Sequence, residues 1–236
     1  MGGPGRMPKL KPAKDASGKP YYEEDKYGLH ITEDFVNATG EDAPRYVKGI
    51  TDVLDEFKID PKDAREKVKT LDLQRLSGLV YAQYSGGISQ ITASEARYKN
   101  RETLLKTYEG DVKSGYHPKG TTADDILAHE TGHALERLLG DRALAKLGKT
   151  DFSTMWDYGF KDKATRELVS QACKNVKKTV FGNGKSVNRL KYDLSRYATK
   201  NASETFAEAI ADYRRNGKKA NPLSIEIVKL TKERLK

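Results

Sequence analysis

Cysteine is almost absent: Cys173 stands alone among 236 residues. A single thiol cannot close an internal disulfide, which fits a reducing compartment. Long apolar runs are missing too. No stretch approaches the roughly 20 apolar residues of a membrane-spanning helix, so no membrane partner is expected. The start, Met1-Gly-Gly-Pro-Gly-Arg-Met-Pro-Lys9, lacks the apolar segment of a secretory signal. These absences point to a cytoplasmic protein. Hydrophobic residues make up only 36% of the chain, below the usual share of about 45–50%, so part of it should be solvated. The Gly-, Pro- and Lys-rich beginning shows no hydrophobic period. It reads as a flexible basic tail over residues 1–26, a linker or cloning remnant, ahead of one folded domain over 27–236.

Charge is plentiful. Lys and Arg number 43 against 34 Asp and Glu, a formal net charge of +9. Lys174, Lys177, Lys178, Lys185, Arg189, Lys191 and the cluster from Lys229 to Lys236 supply much of the excess. They alternate with acids and apolar residues, and no glycine-rich phosphate loop or nucleic-acid motif accompanies them. A solvated basic surface is expected rather than a nucleic-acid groove.

The apolar spacing predicts a helix from Ala43 to Phe57 through Val47, Ile50, Val53, Leu54 and Phe57. Leu79–Tyr84 reads as a strand, Ser85-Gly-Gly87 as a turn and Ile88–Ser94 as the return strand. Helices are expected over Arg101–Val112, Thr122–Leu139, Lys163–Lys178, Ala202–Asn216 and Ser224–Leu235, with a turn at Gly182-Asn-Gly184. In the Thr122 helix, Thr121 or Thr122 can cap, Asp124 and Asp125 suit the N-terminal dipole, and Gly140 marks the end. Many helices after a few early strands imply an α+β fold, mostly helical with a small early sheet.

Histidine is scarce, with 4 in the chain, yet two of them stand in His129-Glu130-Thr131-Gly132-His133. Histidines four apart lie one above the other on a helix and can bind one ion, with the intervening Glu aimed at an attacking water. Leu127, Ala134, Leu135 and Leu138 fall in the opposite sector of the helical wheel. A catalytic zinc site needs a third protein ligand. The extension H-x-x-G-x-x-H does not supply it, since Glu136 and Leu139 occupy its positions. Asn201-Ala-Ser-Glu204-Thr-Phe-Ala-Glu208 is the best donor, with Glu204 as ligand and Glu208, one turn on, accepting a hydrogen bond from a ligand histidine. Alone, that segment would be an ordinary solvated acidic face.

The order His129-Glu-x-x-His133, then Tyr197, Glu204 and Glu208, resembles the zinc metallopeptidases related to the anthrax lethal factor catalytic domain. The loop Gly115-Tyr-His-Pro-Lys-Gly-Thr-Thr122 resembles that of zincin-like domains attached to phage minor head proteins. The likeness covers residues 115–139 and 196–213, and Glu204 follows His133 by 71 residues, a longer gap than that family implies, which inserted helices would fill. The resemblance implies a zincin-like fold and a Zn2+-dependent endopeptidase acting on protein or peptide substrates through a metal-activated water. In it His129, His133 and Glu204 are ligands, Glu130 is the general base, Tyr197 stabilises the oxyanion and Glu208 supports the ligands. It also implies an extended substrate beside an edge strand, for which Gly87–Ser94 is the candidate, with Gly87, Ile88 and Gln90 in contact. The settings it suggests are a virion-associated or a toxin-type protease. The alternative is a non-proteolytic phage-associated module with a structural metal site that binds nucleic acid or capsid. His117 is expected to brace its loop, His30 to be inert, Cys173 to be a buried or semi-exposed thiol rather than a nucleophile, and Glu136 to be a surface charge and the fallback ligand.

Overall fold

Strand pairing begins inside the stretch expected to be a tail. In the computed structural model, which describes residues 6–148, 155–179 and 184–236, the elements run β1 (Leu10–Lys14), β2 (Pro20–Glu24), β3 (His30–Thr32), α1 (Glu33–Thr39), α2 (Ala43–Glu56), α3 (Pro61–Lys67), β4 (Thr70–Gln74), β5 (Ala82–Ser85), β6 (Gln90–Ser94), α4 (Glu95–Tyr98), α5 (Arg101–Lys113), α6 (Ile126–Ala145), α7 (Met155–Thr179), α8 (Val187–Leu194), α9 (Ala202–Asn216) and α10 (Pro222–Leu235). The architecture is α+β, mostly helical, with all described strands before α4. Among the described residues no helix is long and apolar enough to cross a membrane. The expected turn at Gly182–Gly184 falls on residues 182 and 183, outside the described residues.

The flexible tail expected over residues 1–26 is corrected for residues 10–24: β1 and β2 form an antiparallel hairpin, Leu10 opposite Glu24 and Lys14 opposite Pro20. Its turn is local chemistry, since Asp15 Oδ1 accepts from Ser17 N at 2.8 Å and Lys19 N at 3.0 Å. The hairpin escapes a hydrophobic reading because β1 buries no residue. Its Pro12 is tolerated because β1 is an edge strand.

The chain divides into two compact units, Met1–Glu109 with Thr122–Ala134, and Gly110–Thr121 with Leu135–Lys236. The first holds a six-stranded sheet of order β1-β2-β3-β4-β6-β5. β3–β4 and β4–β6 are parallel; the remaining pairs are antiparallel. The predicted hairpin of β5 and β6 is present, but the edge-strand expectation for Gly87–Ser94 is corrected. β6 pairs with β4 on one side and β5 on the other, and Gly87 and Ile88 lie in the turn before it. The parallel β4–β6 pairing joins residues far apart in sequence and leaves no local signal. Gln90 instead donates to Thr92 Oγ1 at 3.0 Å within β6.

The core of this unit is aromatic. Phe35 of α1, Tyr46 of α2 and Tyr98 of α4 are fully buried, with ring centroids 4.9–6.3 Å apart. Gly49 of α2 admits the start of the histidine helix: a Cβ there would meet Asp124 O at 3.0 Å and Ala128 N at 3.4 Å.

The second unit is helical, with α9 packed against α7, α8 and α10. Asp212 of α9 organises the turn into α10, taking Asn221 N at 2.8 Å and Ser224 Oγ at 2.6 Å. α8 lies in the long gap before Glu204, a helix that no expectation from the sequence covers.

Candidate functional site

The histidine helix starts on a short 3-10 turn, Ala123–Asp125, closed by a capping box between Thr122 and Asp125. Asp125 is completely buried, and Thr122 N donates to its Oδ2 at 2.8 Å. Arg101, at the start of α5, holds this turn from outside through Asp124 at 3.1 Å and is itself paired with Asp42, ahead of α2, at 3.3 Å. α6 then runs to Ala145, so Gly140 lies inside it rather than beyond its end. A glycine costs a helix interior only about 1 kcal/mol, and buried Leu138, Leu139 and Leu144 around it outweigh that.

As far as Asp141, α6 is buried nearly all round, and its partly exposed stripe is His129, His133 and Arg137, spaced four apart. The two imidazoles stand one turn apart with ring centroids 5.0 Å from each other, nearly perpendicular. Glu130 does not share the stripe; it is buried, 7% exposed. Its charge acts on the Tyr98 phenol, which is pushed well up, first by burial and then by the nearby Tyr46 and Glu130.

In the second unit, α6 continues as Leu135–Ala145. There Glu136 is buried and accepts from Ser203 Oγ in the first turn of α9, which corrects its reading as a surface charge. The residue after Ser203 is Glu204. Asn201 caps α9, its Oδ1 accepting from Glu204 N at 2.8 Å. Glu204 Oε1 accepts from Tyr197 Oη at 3.1 Å and from Lys200 Nζ at 3.3 Å. Glu204 through Asp212 are buried without a break, so the solvated acidic face is excluded.

Glu208 was expected to receive a hydrogen bond from a ligand histidine. Among its described contacts are two different groups: His117 Nδ1 at 3.1 Å from Oε1, and Ser195 Oγ, which donates to Oε2 at 2.8 Å. His117 is 8% exposed and Ser195 2%. Sequence reasoning placed His117 in a bracing role but could not name its partner 91 residues away, and Ser195 carried no signal at all. Tyr197 is half-buried, its ring 5.2 Å from Tyr116 and 5.8 Å from His117. Burial raises the Tyr116 phenol above its ordinary value. Of the two settings expected for the Cys173 thiol it takes the buried one, and burial pushes it up as well.

No protein-family model, no curated protein and no solved structure matches this chain.

Proposed function

We propose that the chain is a zinc-dependent endopeptidase that hydrolyses peptide bonds, with His129, His133 and Glu204 as the groups that hold the ion. The donor chemistry fits: two imidazoles and a carboxylate are the ligand types of catalytic zinc sites, which keep one position open. Among the described residues these three form the group suited to hold an ion, each offering one ligand atom. The observation that carries the reading is on α6 and α9. His129 and His133 stand one turn apart on α6. The same helix goes on to Glu136, which takes a hydrogen bond from Ser203, the neighbour of Glu204.

An ion held there would supply a Lewis acid for the scissile carbonyl and acidify the attacking water. Glu130, the buried carboxylate beside His129, takes the proton of that water and hands it to the leaving amine. The Tyr197 phenol, which donates to Glu204 Oε1 in this structure, donates instead to the developing oxyanion during reaction. Lys200, with its ammonium 5.0 Å from the Tyr197 ring centroid, holds that ring from outside.

The test is zinc content and hydrolysis of a peptide library by the full chain. One equivalent of zinc is expected, and Glu130→Gln should keep it while losing about two to four orders of magnitude in kcat, the share of a general base. Unchanged activity in Glu130→Gln would refute the assignment.

A further inference from the structure

The loop Gly115–Pro118 and the turn that carries Tyr197 are fastened together by two separate routes. The first is main chain: Arg196 N donates to Gly115 O at 2.9 Å, and Tyr197 N to Tyr116 O at 3.1 Å. The second is a buried side-chain relay. His117 Nδ1 faces Glu208 Oε1 at 3.1 Å, Glu208 Oε2 accepts from Ser195 Oγ at 2.8 Å, and Ser195 Oγ in turn accepts from Ala198 N at 2.9 Å. Ala198 sits in the 3-10 turn Tyr197–Thr199, directly after Tyr197.

We propose that His117 is a positioning residue for the Tyr197 phenol, acting through Glu208 and Ser195 on the backbone of the Tyr197 turn. The inference rests on the peptidase reading for what Tyr197 does, but not for how it is held. Glu208 is 1% exposed, and a carboxylate so buried must be met by donors or it destabilises the fold. His117 and Ser195 are two such donors. Ser195 uses its donor on Glu208, which leaves its oxygen lone pairs facing Ala198 N, so the relay has a fixed direction from the loop to the turn. The imidazole and Tyr116 also pack against the Tyr197 ring, which fixes the ring plane as well as the backbone. A phenol that must meet a developing charge gains from being held before the reaction begins.

Amide hydrogen exchange on the full chain reads this without reference to activity. His117→Phe keeps a ring but removes the donor. It should speed exchange at Tyr197 and Ala198 at least tenfold, and leave Ile227 and Val228 of α10 within twofold. His117→Asn, whose side-chain amide reproduces the Nδ1 donor, should bring Tyr197 and Ala198 back to within about threefold of wild type. Ser195→Ala, which cuts the relay beyond Glu208, should speed Ala198 by a similar factor and carries the test should His117→Phe not fold. On a cleavable peptide, His117→Phe should lower kcat ten- to hundredfold with KM within threefold. In a Tyr197→Phe background the same change should cost less than threefold, because the group it positions is gone. Uniform acceleration across both regions, unchanged exchange at Ala198, or a full further loss in the Tyr197→Phe background would each overturn the proposal. If the wild-type chain cleaves no peptide, the peptidase reading fails, while the exchange result still decides how Tyr197 is held.

Discussion

Glu204, Glu208 and Asp212 recur every fourth residue along α9 and are 9%, 1% and 3% exposed. Three carboxylates so withdrawn from water demand donors, and each has its own. Asp212 takes a backbone N–H and the Ser224 hydroxyl, Glu208 takes Ser195 and His117, and Glu204 takes Tyr197 and Lys200. The spacing of the first two was legible in the sequence; their partners were not, because Ser195 and His117 come from other segments. His30 is a contrasting case, a histidine outside the candidate site. It stacks on Tyr21 of β2 with centroids 4.0 Å apart, and burial holds its imidazole below the ordinary 6.5. The unfolded chain therefore takes up this proton more readily than the folded one. Its contribution to stability is complete above pH 6.5 and is lost as pH falls through the lower folded value. NMR titration of the ring should give a midpoint below 6.5, and His30→Gln should flatten the stability loss in that window. A midpoint at or above 6.5 would contradict this.

At the scale of elements, helices with a strong apolar period appear where the sequence puts them. α2 ends within one residue of its expected end, and α9 matches at both ends. Strands held by distant partners do not announce themselves: β1 buries nothing, β3 has three residues, and β6 is interior only because β4 lies beside it. Loops are fixed by backbone geometry of the same hidden kind. Gly120, just before the histidine helix, has φ +86°, and a Cβ there would stand 2.9 Å from Asn216 Oδ1. Asn216 has little freedom to move, since its amide donates to Lys119 O at 2.9 Å and to Asp212 Oδ1 at 2.7 Å. Gly148 has φ +79° with nothing within 4 Å. Both Ala variants bear the left-handed cost of about 1–2 kcal/mol. Gly120→Ala should lose about 1–3 kcal/mol more than Gly148→Ala by overpacking. Equal losses in denaturant melts would show that the Asn216 contact is not tight.

For the whole molecule, the α+β class was legible from the order of strands and helices, and the division into two interleaved units was not. Chain segments exchange between units at residues 109–110, 121–122 and 134–135. The last point falls inside α6, after Ala134, where no linker composition marks it. The candidate ligands were legible because the chemistry is local, two histidines on adjacent turns of one helix and a carboxylate in the first turn of another. The relay of His117, Glu208 and Ser195 depends on tertiary contacts. Everything proposed for this site depends on His129, His133 and Glu204 holding zinc. Anomalous diffraction at the zinc edge, from crystals of the full chain, tests all three residues at once. One peak is expected, bonded to an imidazole nitrogen of His129 and of His133 at about 2.0–2.1 Å and to a Glu204 carboxylate oxygen at about 2.0–2.2 Å. Zinc bound by other residues, or no ordered zinc at these three in crystals grown with the metal, would contradict it.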